Sequence, residues 1–95
     1  MTNGVTWVTG TAVDHTCDTS HTPILDSGSD TVFSDGLETA YKGSVFNCGD
    51  KVDSGSDTVF IDGKNAARIG DITEGHGCFP PTVIETGSSV VFIGD

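Results

Sequence analysis

Two kinds of residue that can support chemistry recur along this chain: acids beside Gly-Ser turns, and small groups of His and Cys. The segment DSGSDTVF occurs at 26–33 and again at 53–60, and the looser copy ETGSSVVF occurs at 85–92. His and Cys residues precede each copy, in DHTCDTSHTPILD, VFNCGDKVD and GHGCFPPTVIE. The acids offer carboxylate catalysis, whereas the His and Cys side chains are ligands for a metal ion.

The repeated acids match the Asp-Ser-Gly of aspartic peptidases, in which two carboxylates share one proton. Asp26 and Asp53 would be the pair. The two copies are too close in sequence for two lobes that wall a peptide cleft. The third copy carries Glu85, and a dyad has no use for a third acid. We therefore expect these acids to form turns by accepting backbone N–H groups, with the peptidase as the weaker alternative.

Two metal-dependent alternatives are also weaker. Gly28–Val32 matches part of a calcium-binding β-roll repeat, but the chain lacks the tandem period of those arrays. A zinc hydrolase using the His/Cys site would need an open coordination position and a general base. No pattern in the sequence marks a substrate pocket beside the His and Cys residues. We expect no enzymatic activity.

The distribution of the metal-binding side chains follows the repeat. The residues are His15, Cys17 and His21 before the first copy, Cys48 before the second, and His76 and Cys78 before the third. If the repeats surround an axis, these lead-in segments meet at one end. They then supply more soft ligands than the four that a tetrahedral zinc ion needs. The spacing itself matches no common zinc-finger pattern. We expect one structural metal ion at this end, zinc in preference to iron.

The three copies share one order of elements. Each has an apolar residue and an acid, a Gly-Ser turn and a strand ending in Val-Phe; an Asp-Gly hairpin sequence follows the first two. SGSDTVFSDG and SGSDTVFIDG differ only at Ser34 and Ile61. This pattern predicts an all-β fold of three pseudo-threefold-related repeats in a single domain, 1–95, with units of roughly 10–43, 44–71 and 72–95. We expect the Val-Phe pairs at 32–33, 59–60 and 91–92 to converge in a common core.

Charge and composition exclude several classes of partner. The chain has 4 Lys and Arg against 14 Asp and Glu, so its net charge of −10 repels nucleic acids and anionic membrane surfaces. No apolar run is long enough for a membrane helix. MTNGVTWVTG lacks the basic and apolar regions of a signal peptide, so we expect synthesis in the cytoplasm. Three cysteines cannot complete a disulfide framework, and we expect all of them to be reduced.

In combination, the repeats, the segment Asn65-Ala66-Ala67-Arg68, Gly70-Asp71 and the His/Cys lead-ins resemble the PAAR-repeat proteins. The resemblance covers roughly residues 10–95, although the first unit has Glu38-Thr39-Ala40-Tyr41 in place of the Asn-Ala-Ala-Arg segment. It implies a cone-shaped β domain whose vertex is held by a metal bound by three His and one Cys. The residues that match this ligand set are His15, His21, Cys48 and His76, with Cys78 as the alternative to Cys48. Cys17 matches a position that does not bind the metal.

The resemblance also implies a function and a partner. Such domains are non-enzymatic tips that cap and sharpen the spike of a type VI secretion system or a contractile phage tail and so aid envelope penetration. The base of the cone binds the blunt end of a trimeric β-helical spike (a VgrG-like protein or a phage central spike), one copy per trimer. The implied final location is a virion tail tip or a secretion-machine spike tip, in transient contact with the host envelope. In size, the chain is most similar to the small spike-tip proteins of T-even-type phages.

Overall fold

A computed structural model describes residues 3–17 and 19–93 and, for Thr19 and His21, the backbone alone. These residues form a small all-β fold, as the sequence predicts, and its strands pair as four two-stranded antiparallel sheets. The strands are β1 (Asn3–Gly4), β2 (His15–Cys17), β3 (Thr19–His21), β4 (Phe33–Ser34), β5 (Leu37–Glu38), β6 (Phe60–Ile61), β7 (Lys64–Asn65) and β8 (Phe92–Ile93). The pairs are β1 with β8, β2 with β3, β4 with β5, and β6 with β7. The described part of the chain contains no helix that could cross a membrane.

Two of the sheets are tight hairpins closed by Asp-Gly. Asp35 and Asp62 have φ of 53° and 53°, and Gly36 and Gly63 have φ of 80° and 81°. Positive φ at both central residues defines the type I′ turn, whose twist matches that of paired strands. The predicted Asp-Gly hairpins are therefore confirmed, and their registers correspond: Phe33 pairs with Glu38, and Phe60 pairs with Asn65.

The strand of the third copy, β8, pairs with the N-terminal strand β1. Phe92 in β8 pairs with Gly4 in β1. A Cβ atom at position 4 would lie 2.1 Å from the carbonyl oxygen of Ser88, so only glycine allows this approach. The N-terminal strand β1 is thus the pairing partner of the third copy, as Leu37–Glu38 and Lys64–Asn65 are the partners of the first two copies.

The serine of each Gly-Ser turn organises the bend before the strand. Ser29 Oγ accepts hydrogen bonds from the backbone N–H groups of Thr31 and Val32, at 3.1 and 2.9 Å. The same pair of bonds occurs at the other two copies: Thr58 and Val59 donate to Ser56, and Val90 and Val91 donate to Ser88. These serines are buried. The turn is therefore built by the serine and not, as expected from the sequence, by the preceding acid.

Backbone hydrogen bonds close a ring of three residues inside the fold. Thr6 N–H donates to Ala67 at 3.1 Å, Ala67 N–H donates to Ala40 at 3.0 Å, and Ala40 N–H donates to Thr6 at 3.0 Å. All three residues are almost fully buried. Two residues further along each segment, Val8, Lys42 and Ile69 donate to Glu38, Asn65 and Gly4, which closes a second ring in the opposite cyclic direction. Three parts of the chain therefore contact one another through equivalent bonds.

The core lies between these segments. Its buried cluster consists of Ala12, Leu25, Ala40, Phe46, Val52, Ala67 and Ile84. Leu25, Val52 and Ile84 are the apolar residues that directly precede the three repeated acids. These three side chains are at most 1% exposed. The apolar residues of the three lead-ins therefore supply much of the core.

The predicted core of Val-Phe pairs is wrong. Phe33, Phe60 and Phe92 are 57%, 55% and 55% exposed. The residues that follow the first two, Ser34 and Ile61, are buried instead. Successive side chains of a strand point to opposite faces, so burying the residue after the phenylalanine turns the ring outward. We refer to Phe33, Phe60 and Phe92 as the phenylalanine face.

Candidate metal centre

The first histidine of the candidate site is placed by a hairpin. His15 begins β2, which pairs with β3 so that His15 lies opposite His21 and Cys17 lies opposite Thr19. His15 is 4% exposed, so its imidazole is buried in the lead-in region. The side chain of His21 lies outside the described residues, and its assignment as a metal ligand stays a prediction.

Two tight turns place the other ligands. Phe46 N–H donates to Asp50 at 2.8 Å and Gly49 N–H donates to Phe46 at 3.0 Å, which closes a turn around Cys48. His76 and Phe79 exchange backbone hydrogen bonds of 3.1 and 2.8 Å. Cys48 is a free thiol that is half-buried against the core. Each predicted lead-in segment thus delivers one ligand-bearing residue.

The three side chains converge. The ligand atoms of His15, Cys48 and His76 all lie within 4.8 Å of one another. The Nε2 atoms of His15 and His76 are 3.3 Å apart. Two nitrogens bound tetrahedrally at the usual Zn–N length lie about 3.3 Å apart, and a nitrogen and a sulfur about 3.6 Å. The histidine pair therefore already has the separation that a zinc ion requires, and a thiol at the 4.8 Å limit has to come about 1.2 Å closer to the nitrogens.

Surrounding groups fix the orientation of both imidazoles. His15 Nδ1 lies 2.9 Å from the carbonyl oxygen of Pro80, to which it donates as N–H. This bond leaves the lone pair of His15 on Nε2, the atom that faces His76. The ring of Phe79 stacks on His76 with centroids 4.9 Å apart and planes at 19°, and its centroid also lies 4.9 Å from that of His15. Contacts of this kind, outside the ligands themselves, hold metal-binding histidines in place.

A disulfide lies beside the site. Cys17 and Cys78 are joined, with their Cα atoms 5.8 Å apart. The expectation of three reduced thiols therefore differs from the structure, which has one disulfide and one free thiol. While this bond is present, the sulfur of Cys78 is not the thiolate that a metal binds, so Cys48 takes precedence over its alternative. The repeated His-x-Cys spacing could have indicated the pairing: segments that bring His15 and His76 together also align the cysteines two residues later.

Asp50 is a buried acid next to the site that the sequence analysis does not single out. Its side chain is 1% exposed. Oδ1 accepts hydrogen bonds from the N–H groups of Lys51 and Gly75, at 2.8 and 2.9 Å. Oδ2 has no hydrogen-bond partner among the described residues. In the sequence, its position two residues after Cys48 is the feature that could have indicated a role at the site.

The acids considered for catalysis lie elsewhere. Asp26 and Asp53 are exposed, and their backbone N–H groups donate to different segments, at Val45 and Ile72.

Asp62 contacts the first repeat: Ser29 Oγ and Thr31 Oγ1 donate to its carboxylate at 2.7 and 2.8 Å. These hydroxyl hydrogen bonds hold the pKa of Asp62 below its usual value, with a smaller contribution from the charge of Lys64.

Comparison with known proteins does not assign the chain. Neither a scan against protein-family models nor a search of curated proteins finds a match. The site itself defines a chemistry, however: two imidazole nitrogens and a thiol form a donor set suited to zinc or another borderline-soft metal. A group of three such ligands from three separate segments can bind a metal that ties those segments together.

Proposed function

We propose that this protein is a non-enzymatic, metal-stabilised tip that caps the end of a trimeric β-helical spike in a contractile injection machine. The observation that carries the proposal is the closed ring of backbone hydrogen bonds through Thr6, Ala40 and Ala67. A single chain in which three segments are related cyclically is suited to a partner with threefold symmetry. The resemblance to PAAR-repeat proteins in the sequence motifs points to the same partner.

Three connecting segments, 5–14, 39–47 and 66–75, link the two ends of the proposed tip. Each begins directly after a residue paired with a phenylalanine of the phenylalanine face: Gly4 with Phe92, Glu38 with Phe33, and Asn65 with Phe60. Each ends directly before His15, Cys48 or His76. Each also contains one hydrogen-bonded turn at a corresponding place, from Gly10 to Trp7, from Ser44 to Tyr41 and from Asp71 to Arg68. This connectivity supports a base formed by the phenylalanine face and a vertex formed by the metal centre.

The phenylalanine face has the composition of a docking surface. Its three rings are more than half exposed, and Val90 and Val91 beside Phe92 are 73% and 37% exposed. Exposed apolar groups of this size in corresponding positions of a repeat mark an interaction surface. A trimeric spike end presents three equivalent subunit edges, so three similar apolar positions match one trimer. We therefore place the spike-binding base at these strands.

The metal centre has a structural role in this proposal. Zinc, or iron with the same ligands, would be held by His15, Cys48 and His76, with His21 as the predicted fourth ligand. When bound, the ion would cross-link the hairpin that carries His15 to the turns that carry Cys48 and His76. Cys48 contributes the thiolate and the two histidines contribute neutral Nε2 atoms. A closed, four-ligand site stabilises a fold and leaves no position for a substrate.

The test of the proposal is the stoichiometry of a complex with a trimeric spike. The full chain would be mixed with the β-helical C-terminal fragment of a spike protein from the same source, and the mass of the complex measured by sedimentation. We expect one copy of the chain per spike trimer. Binding of three copies per trimer, or no binding at micromolar concentration, would refute the proposed cap.

A matched pair of variants assigns the base. Phe60→Ser removes one ring of the phenylalanine face, whereas Val83→Ser removes an apolar side chain that is 40% exposed but lies outside that face. We expect Phe60→Ser to weaken spike binding at least tenfold and Val83→Ser to leave it unchanged. Equal effects of the two substitutions would show that the base lies elsewhere.

A further inference from the structure

Asp50 is a buried carboxylate two residues after Cys48, in the turn that carries this candidate ligand. It closes the turn around Cys48 through its backbone carbonyl, and its Oδ1 accepts the N–H of Gly75, which directly precedes His76. One side chain therefore joins the turns that carry two of the three ligands. In the other two lead-ins, the residues that close the corresponding turns are Pro23 and Thr82, neither of which is charged.

No ion pair among the described residues balances the charge of this carboxylate. The ion pair found among the described residues joins Arg68 to Asp71, and Asp50 takes no part in it. Oδ1 receives two backbone N–H groups, but Oδ2 is buried without a hydrogen-bond partner in the described part of the chain. Burial of an ionised carboxylate is costly unless charge and hydrogen bonds compensate it. A cationic group close to Oδ2 would compensate this cost.

We propose that Asp50 is an outer-shell anionic partner of the metal ion bound by His15, Cys48 and His76. Asp50 lies outside the group of converging ligand atoms, so the carboxylate acts beside the ligands and not as one of them. Oδ2, the oxygen without a hydrogen-bond partner among the described residues, is the atom whose charge the metal ion would compensate. A divalent ion with one thiolate ligand carries one net positive charge, which the carboxylate neutralises.

This inference rests on the proposed metal centre and is tested by metal affinity. The Co²⁺ and Zn²⁺ affinities of wild type and Asp50→Asn would be measured by competition with a chromophoric chelator. Asparagine has nearly the same shape and keeps an oxygen for the N–H groups of Lys51 and Gly75, but it removes the charge. We expect a 10- to 100-fold loss of affinity, the usual effect of removing an outer-shell partner.

Two further variants separate charge from shape. Asp57→Asn removes one negative charge at an exposed position in the bend before β6 and controls for net charge; we expect affinity within twofold of wild type. Asp50→Glu restores the carboxylate, and we expect it to recover most of the affinity that Asp50→Asn loses. The urea midpoint of metal-free protein is measured for each variant. We expect that midpoint to change much less with Asp50→Asn than the midpoint of the metal-bound protein.

The outcomes are distinct. A loss of affinity smaller than threefold in folded Asp50→Asn overturns the inference. So does an equal fall of the unfolding midpoint with and without metal, or an equal loss in Asp50→Asn and Asp50→Glu, because each indicates a purely structural carboxylate. If wild type binds neither ion, the proposed metal centre itself fails. If wild type binds metal and Asp50→Asn binds it with the same affinity, the metal centre is retained and only the role of Asp50 is refuted.

Discussion

The Nε2 atoms of His15 and His76 lie 3.3 Å apart, although 61 residues separate the two histidines in the sequence. Two separate local structures position the two side chains. A hairpin presents His15, and the hydrogen-bonded turn of His76 and Phe79 presents His76. With His15 Nδ1 committed to the carbonyl of Pro80, the two Nε2 atoms face each other at the distance of two ligands of one ion.

Removal of one of these nitrogens should abolish metal-dependent stability. We expect wild type to be stabilised by about 2.7 kcal/mol when zinc is present at a hundred times its dissociation constant. His76→Ala should lose this increment, because it removes both the ligand and its stack on Phe79. Thermal unfolding with and without zinc measures the effect. A chelator-treated wild type is the control, and an equal zinc-dependent rise in both proteins would contradict the assignment.

The sequence predicts the convergence of the ligands but not its details. The placement of His15, Cys48 and His76 in three equivalent lead-ins, one in each, suffices to expect them at one end, because equivalent segments of a repeat occupy equivalent positions. The all-β class and both Asp-Gly hairpins follow from residue types with local structural preferences. These are short-range properties, for which the sequence carries direct information.

The phenylalanine face shows where such inference fails. In a two-residue strand, alternation does not indicate which of two neighbouring apolar residues points inward. Phe60 and Ile61 are both apolar, and the structure buries Ile61. In the first copy the buried residue is Ser34, whose Oγ makes a 2.8 Å hydrogen bond with Thr39 Oγ1. Packing against neighbouring segments decides the orientation, and that information is not local.

Cys48 should contribute the thiolate of the metal centre. With Co²⁺ as the probe, we expect wild type to show the sulfur-to-cobalt charge-transfer absorption of a Cys ligand, and Cys48→Ser to lack it. The free thiol is only partly buried, so serine should be tolerated and the fold retained. Cys17→Ser is the comparison, because Cys17 is engaged in the disulfide. Loss of the band in Cys17→Ser but not in Cys48→Ser would reverse the assignment.

The disulfide between Cys17 and Cys78 should stabilise the protein independently of the metal. It closes a loop with a sequence separation of 61, for which restriction of the unfolded chain gives about 4 kcal/mol. We expect the double variant Cys17→Ser, Cys78→Ser to lose stability by up to this amount in metal-free urea titrations. Wild type treated with a reductant should match the variant. An unchanged midpoint after reduction would show that the bond does not constrain the native protein.

Two phenylalanines provide a direct comparison of core and surface. Phe46 is 1% exposed in the core cluster, whereas Phe60 is 55% exposed. We expect Phe46→Ala to cost about 3–5 kcal/mol of the free energy of unfolding, because it removes buried surface and leaves a cavity. Phe60→Ala should change it by about 0.5 kcal/mol or less. Urea titrations of both variants measure the difference, and a large loss in Phe60→Ala would place that ring in the core.

The carboxylate of Asp62 should make stability depend on pH in the acid range. Hydroxyl hydrogen bonds from Ser29 and Thr31 hold its pKa below the usual value in the folded protein. A carboxyl group whose folded pKa is depressed contributes stability above its unfolded pKa, near 4, and loses that contribution as the pH falls through the folded pKa. We therefore expect wild type to exceed Asp62→Asn in the free energy of unfolding at pH 7, with a difference that shrinks below about pH 4. Metal-free protein is used, so that protonation of the metal ligands does not contribute. Asp57→Asn serves as the exposed control, and a wild-type advantage over Asp62→Asn that stays constant from pH 7 to pH 3 would show that the two hydroxyl bonds do not favour the charged form.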